Sequence, residues 1–134
     1  MKVKIIILVA LFTTFFSCKK EVKQDAKTTE SMVQTEIQLI QFHTKHRCIT
    51  CNAIEKLSKE TIKGNNKISF VLYNVEDEKN TKVAEQFEAT GTSLYLYNSK
   101  TRATKDLTEM AFMYAKKDGE KFKTELQKEI SAFK

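Results

Sequence analysis

Ile37-Gln38-Leu39-Ile40-Gln41-Phe42-His43, then Thr44-Lys45-His46-Arg47, then Cys48-Ile49-Thr50-Cys51 is the stretch that decides the fold. Residues 37–43 form a short, mostly apolar run, which reads as a buried strand. From Thr50 onward Ile54, Leu57, Thr61 and Ile62 fall at helical spacing, and Gly64-Asn65-Asn66 is a helix stop. A CxxC pair placed where a strand hands over to a helix is informative in a way that the bare spacing is not. The first thiol of such a pair stands beside unpaired amide N–H groups at the positive end of the helix. That position favours a thiolate, the nucleophile of disulfide exchange. Cys48 is therefore the expected attacking thiol, and Cys51, one turn in and more buried, the expected resolving thiol. His46 and Arg47 immediately before them are expected to add positive charge on the same side.

Working outward, Ile68 to Val75 is β-branched and aromatic and reads as a second strand. Glu76-Asp77-Glu78 places acids at the start of the next helix, whose apolar face is Val83, Ala84 and Phe87. Leu94-Tyr95-Leu96-Tyr97 is a third strand, Asn98-Ser99-Lys100 a turn, and Thr101 to Leu107 a returning fourth strand. Thr108 is expected to cap a helix from Glu109 to Lys116. After Asp118-Gly119, the residues Phe122, Leu126, Ile130 and Phe133 recur at intervals of 4, 4 and 3, an amphipathic helix. The order is β-α-β-α-β-β-α, an α/β chain with a mixed sheet covered on both faces. This is the order of the thioredoxin fold, a three-layer sandwich.

The 134 residues suffice for one domain. Residues 1–17 read as an address. A basic start is followed by the apolar run Ile5 to Phe16, too short to span a bilayer as a helix and suited to a secretory leader. Ser17-Cys18 at its end resembles a bacterial lipobox, in which the cysteine is lipidated and becomes the first mature residue. The chain is thus expected to be exported and lipid-anchored in the cell envelope, with the outer membrane favoured because Lys19, not Asp, follows Cys18. Residues 18–35 are polar without a sustained period and read as a flexible tether; 36–134 is the folded domain.

Charge and composition narrow the partners. The formal charge is +6, yet Arg47 and Arg102 are the only arginines, and acids alternate with the lysines. Phosphate and base readout favours Arg forks, so no nucleic-acid partner is expected. The absence of proline excludes any X-Pro cis bond from the mechanism. Lipidation would consume Cys18 and leave Cys48 and Cys51 as the free pair, which suits exchange with a thiol or disulfide of an envelope protein.

Two other readings of the CxxC pair remain open on the residues alone. One is a structural disulfide, although so small a loop removes little chain entropy. The other is soft-metal binding. His43, His46, Cys48 and Cys51 read H-x2-H-x-C-x2-C, donors suited to Zn or Cu. In the redox reading no cofactor beyond the disulfide itself is expected.

Phe42-His43-Thr44-Lys45-His46-Arg47-Cys48-Ile49-Thr50-Cys51 resembles the F-H-x-x-x-R-C-x-T-C segment of the nitrophenyl compound nitroreductase subunit (ArsF) family, thioredoxin-like proteins largely of Bacteroidota. Asp106-Leu107-Thr108-Glu109-Met110-Ala111-Phe112-Met113-Tyr114-Ala115 is similar to that family's D-L-T-x-x-A-F-M-Y-A segment. The resemblance runs from about Ile37 to Ile130 and implies a thioredoxin-like fold with Cys48 and Cys51 as its redox pair. Nitro-group reduction needs an electron carrier such as a flavin. No flavin site is read here, so that activity is not carried over. A non-catalytic place in a reductase complex is the remaining alternative.

Compared with ordinary thioredoxins, Arg47-Cys48-Ile49-Thr50-Cys51 replaces Trp-Cys-Gly-Pro-Cys. Gly91-Thr92-Ser93 stands for the cis-Pro loop, with Thr92 near the proline's place. No Asp or Glu lies between Glu36 and Cys48 to supply the buried acid, which leaves His43 as the expected proton acceptor near Cys51.

Overall fold

The computed structural model describes residues 35–133. The expected leader, Cys18 and tether residues 18–34 lie outside the described residues. The elements run β1 (Ile37–His43), α1 (Ile49–Ile62), β2 (Ile68–Asn74), a 3-10 turn (Glu78–Asn80) continuing into α2 (Thr81–Gln86), β3 (Ser93–Asn98), β4 (Thr104–Asp106), α3 (Thr108–Tyr114) and α4 (Gly119–Ala132). The sheet order is β2-β1-β3-β4. β1 and β2 are parallel, while β3 runs antiparallel to both β1 and β4. A parallel pair joined by a helical crossover, then a hairpin added at the other side of β1, is the thioredoxin-like α/β arrangement.

Period-two alternation explains how one sheet carries two cores. On one face Leu39, Ile68, Leu94 and Leu96 meet Ile54 of α1, Ala111 of α3, and Phe122 and Leu126 of α4. On the other face Ile40, Phe42, Val71 and Tyr97 meet Ala84 of α2 and Phe87 just beyond it. The central strand β1 thus has no solvent side: residues 39–42 are all buried.

Three local details depart from the sequence expectations. β4 is Thr104–Asp106, shorter than the expected 101–107. The Asn98 carboxamide oxygen accepts the N–H groups of Lys100 and Thr101, and Arg102 adopts φ 65, so the turn consumes the start of the expected strand. Thr108 does not cap α3. Its hydroxyl accepts the Leu94 N–H at 3.1 Å, and Asp106 accepts the Thr108 N–H at 2.7 Å. Both expected closing helices form, one more than the order β-α-β-α-β-β-α counts, and Asp118 caps α4 by accepting the Lys121 N–H at 2.9 Å. The stop after α1 is as expected: Gly64 has φ +81 with open space around it, a backbone that costs L-residues about 1–2 kcal/mol.

Candidate active site: a dithiol at the start of α1

Cys48 is the N-cap of α1, with φ −77 and ψ 168, and its sulfur accepts the Cys51 N–H at 3.3 Å. A polar side chain satisfying an orphan amide of the first turn is ordinary capping; here the acceptor is a sulfur. The Cys48 and Cys51 sulfurs stand 2.6 Å apart, and both residues are free thiols. Cys48 is exposed and Cys51 is only 3% exposed. One thiol of the pair thus meets solvent while the other is reached through it.

The Cys48 thiol is lowered below its ordinary range. The largest cause is the hydrogen bond from the Cys51 side chain, followed by the Cys51 backbone N–H. Burial opposes the shift, and the N–H groups of Thr50 and Cys48 make smaller contributions in its favour. The geometry therefore supplies the electrostatics from the helix start itself.

Arg47 is committed elsewhere. Its guanidinium pairs with Glu55 at 2.5 Å, and Lys59 holds the same carboxylate at 2.6 Å. His46 is exposed in the loop, and neither it nor Arg47 is among the causes that lower Cys48. Burial pushes the Glu55 carboxyl up, but hydrogen bonds and charge from Lys59 and Arg47 outweigh it and the net shift is down. A depressed carboxylate stabilises the fold fully above its ordinary value of 4.5, and that contribution is lost as pH falls through the folded value. Glu55→Gln should therefore lose stability less steeply than the wild type over this acidic window, read as urea midpoints at successive pH values.

Thr92, at the head of β3, lies with its hydroxyl oxygen 3.1 Å from the Cys51 sulfur. His43 ends β1 with Nδ1 at 2.7 Å from the Thr44 carbonyl. The side chain of β1 that reaches Cys51 is not His43 but Gln41, whose Nε2 donates to the Cys51 carbonyl at 2.9 Å. Gln41 is 0% exposed and its Oε1 has no hydrogen-bond partner among the described residues. An unpaired buried acceptor costs about 1–3 kcal/mol. Sequence reading missed this residue because a lone Gln between apolar neighbours resembles a solvent-facing position. The burial of a central strand on both faces is the signal that finds it.

No family model matches the chain, and no curated protein does. Among solved structures it is similar to one described as "Structure of a malarial protein", with 20% identity and a TM-score of 0.42 over 59% of this chain and 94% of that one. Of the four residues in the H-x2-H-x-C-x2-C spacing, the structure brings Cys48 and Cys51 together. Among the described residues no three of His, Cys, Asp and Glu gather as a metal site. No helix among them is long and apolar enough to cross a membrane.

Proposed function

We propose that this protein is a thiol–disulfide oxidoreductase or electron-transfer protein working through the Cys48/Cys51 dithiol. The observation that carries the reading is the pair of free sulfurs 2.6 Å apart at the N-terminus of α1, one exposed and one buried. Cys48, lowered by the hydrogen bonds it accepts, attacks a partner disulfide and forms a mixed disulfide. Cys51 then attacks Cys48 and releases the partner as a thiol. The similarity of residues 42–51 and 106–115 to the ArsF family supports the same pair. The test is a redox titration of the purified protein in glutathione buffers, counting free thiols, with metal content measured on the same sample. A two-electron Cys48/Cys51 couple is expected. Thiols that never oxidise, or that are held by stoichiometric Zn or Cu, would overturn the reading.

The partner is a thiol or disulfide of an envelope protein, and the anchor is lipid on Cys18. This rests on the apolar run closing at Ser17-Cys18. Cys18→Ala should shift the protein from the membrane pellet to the soluble fraction, or leave the leader uncleaved. A wild-type mature chain that begins elsewhere and carries no acyl group would exclude the anchor.

A further inference from the structure

The candidate is the buried amide behind the dithiol. Gln41 shares its β1 face with Leu39, the face covered by α1, α3 and α4. The lining there is otherwise aliphatic and aromatic, apart from Cys51 and Ser58. Gln41 makes one bond, from Nε2 to the Cys51 carbonyl, and leaves Oε1 unpaired. A leucine would fill the same place with no orphan acceptor, so what the amide adds is the tie between β1 and the resolving cysteine. It adds this without charge. The buried polar side chains among the described residues are Gln41, Ser58, Asn80, Ser93 and Asn98, and none of them ionises.

Apart from Cys51, no ionisable side chain on β1, α1, α3 or α4 is buried. α1 carries the exposed Lys56 and Glu60, α3 the exposed Glu109, and α4 Lys121, Glu125, Lys128 and Glu129 on its outer side. β1 contributes His43, engaged with the Thr44 carbonyl. α1 contributes Glu55, held by Arg47 and Lys59, together with Cys48 and Cys51. α3 contributes the half-buried Tyr114, and α4 the Lys123–Glu120 pair. Tyr73 of β2 and Tyr95 and Tyr97 of β3 belong to the opposite face.

We infer that Gln41 is a positioning residue of the dithiol: its amide ties Cys51 to β1 within reach of Cys48 and keeps the buried side of the pair free of any titrating group except the thiols. This deepens the redox reading above and rests on it. In the step concerned, Cys48 is joined to a partner sulfur. Cys51 gives up its proton to solvent, and its sulfur lone pair forms the bond to the Cys48 sulfur. The bond from Cys48 to the partner sulfur breaks. The electron pair leaves on the partner sulfur, which is released as thiolate or, with a proton from solvent, as thiol. The dithiol is oxidised by two electrons and the partner disulfide is reduced.

The test uses 5,5′-dithiobis(2-nitrobenzoate) on the purified reduced protein, following release of the coloured thiolate against pH. The first equivalent reports attack by Cys48 and the second reports closure by Cys51. Gln41→Leu removes the tie, and closure should slow about tenfold or more, as expected for a misplaced reacting atom. The first equivalent should be released at the wild-type rate. Gln41→Glu keeps the shape and introduces a buried carboxyl, whose ionisation burial disfavours. Its closure profile should gain a pH inflection that the wild type lacks, a change that a merely structural role would not produce. The isosteric Gln41→Glu variant keeps the test alive if Gln41→Leu fails to fold, as judged by circular dichroism. Wild-type closure rates in Gln41→Leu, or an unchanged pH profile in Gln41→Glu, would overturn the role of Gln41 alone. A wild type that releases one equivalent and never the second would overturn the redox reading with it.

Discussion

Cys51→Ser should leave a Cys48 that alkylates fast and traps partners as mixed disulfides, whereas Cys48→Ser should leave a thiol that does neither. Cys48 is exposed and its thiol is lowered, so at neutral pH it carries more thiolate than an ordinary cysteine, which titrates near ~8.5. Cys51 is 3% exposed and lies behind Cys48. Iodoacetamide rates for the two single variants should differ by about tenfold or more at pH 7, since reactivity follows both thiolate content and access. Cys51→Ala separates the causes further. The Cys51 side chain is the largest contributor to the lowering of Cys48, and serine retains a donor there while alanine does not. The Cys48 rate profile should therefore lie at higher pH in Cys51→Ala than in Cys51→Ser. Equal profiles would show that the helix amides alone set the thiol. Arg47→Ala should move the profile little, because its guanidinium is paired to Glu55.

That last expectation differs from the one sequence invites. Adjacency of His46 and Arg47 to Cys48 suggests a cationic setting, but adjacency in a loop does not fix direction. Arg47 turns along α1 to a carboxylate that is eight positions further on and also bound by Lys59. A long side chain follows the available ion pair, and no single-sequence pattern reports that choice. The strands were legible for the opposite reason. Ile37–His43, Ile68–Asn74 and Ser93–Asn98 are apolar runs bounded by polar turns, and burial on both faces leaves them no other placement. β4 was legible in kind but not in extent, since an Asn98 side chain serving two amides and a positive φ at Arg102 decide where pairing resumes. Thr108 shows the same limit. A hydroxyl before a helix pattern reads as a cap, yet tertiary contact offers it the Leu94 amide instead. The dithiol itself was legible because its chemistry is carried by spacing and by a strand-to-helix boundary. Gln41 was not, because its partner is a backbone carbonyl ten residues away.

Phe42→Ala should cost about 3–5 kcal/mol, the range for truncating a fully buried aromatic. Phe42 is 0% exposed on the central strand. Its ring meets Tyr73, Phe87 and Tyr95 at centroid distances of 5.7, 5.5 and 5.9 Å, so the cavity would open among rigid rings that collapse poorly. Against a total of about 5–15 kcal/mol for a domain, that is roughly a fifth of the stability or more. The control is Phe112→Ala. Phe112 is 43% exposed on α3, and such a surface change should stay within about 0.5 kcal/mol. Urea unfolding at neutral pH measures both, with the midpoint rather than the slope expected to move. The loss should also reach the dithiol. Phe42 pairs in register with Ser93, the residue after Thr92, and it follows Gln41 on β1, so loosening this strand pair frees the Gln41 and Thr92 side chains that touch Cys51. In the folded Phe42→Ala protein Cys51 should therefore become more accessible to alkylation, while Phe112→Ala leaves it protected. A cost below about 1 kcal/mol for Phe42→Ala would mean that the rings close over the gap and that this core does not hold the site.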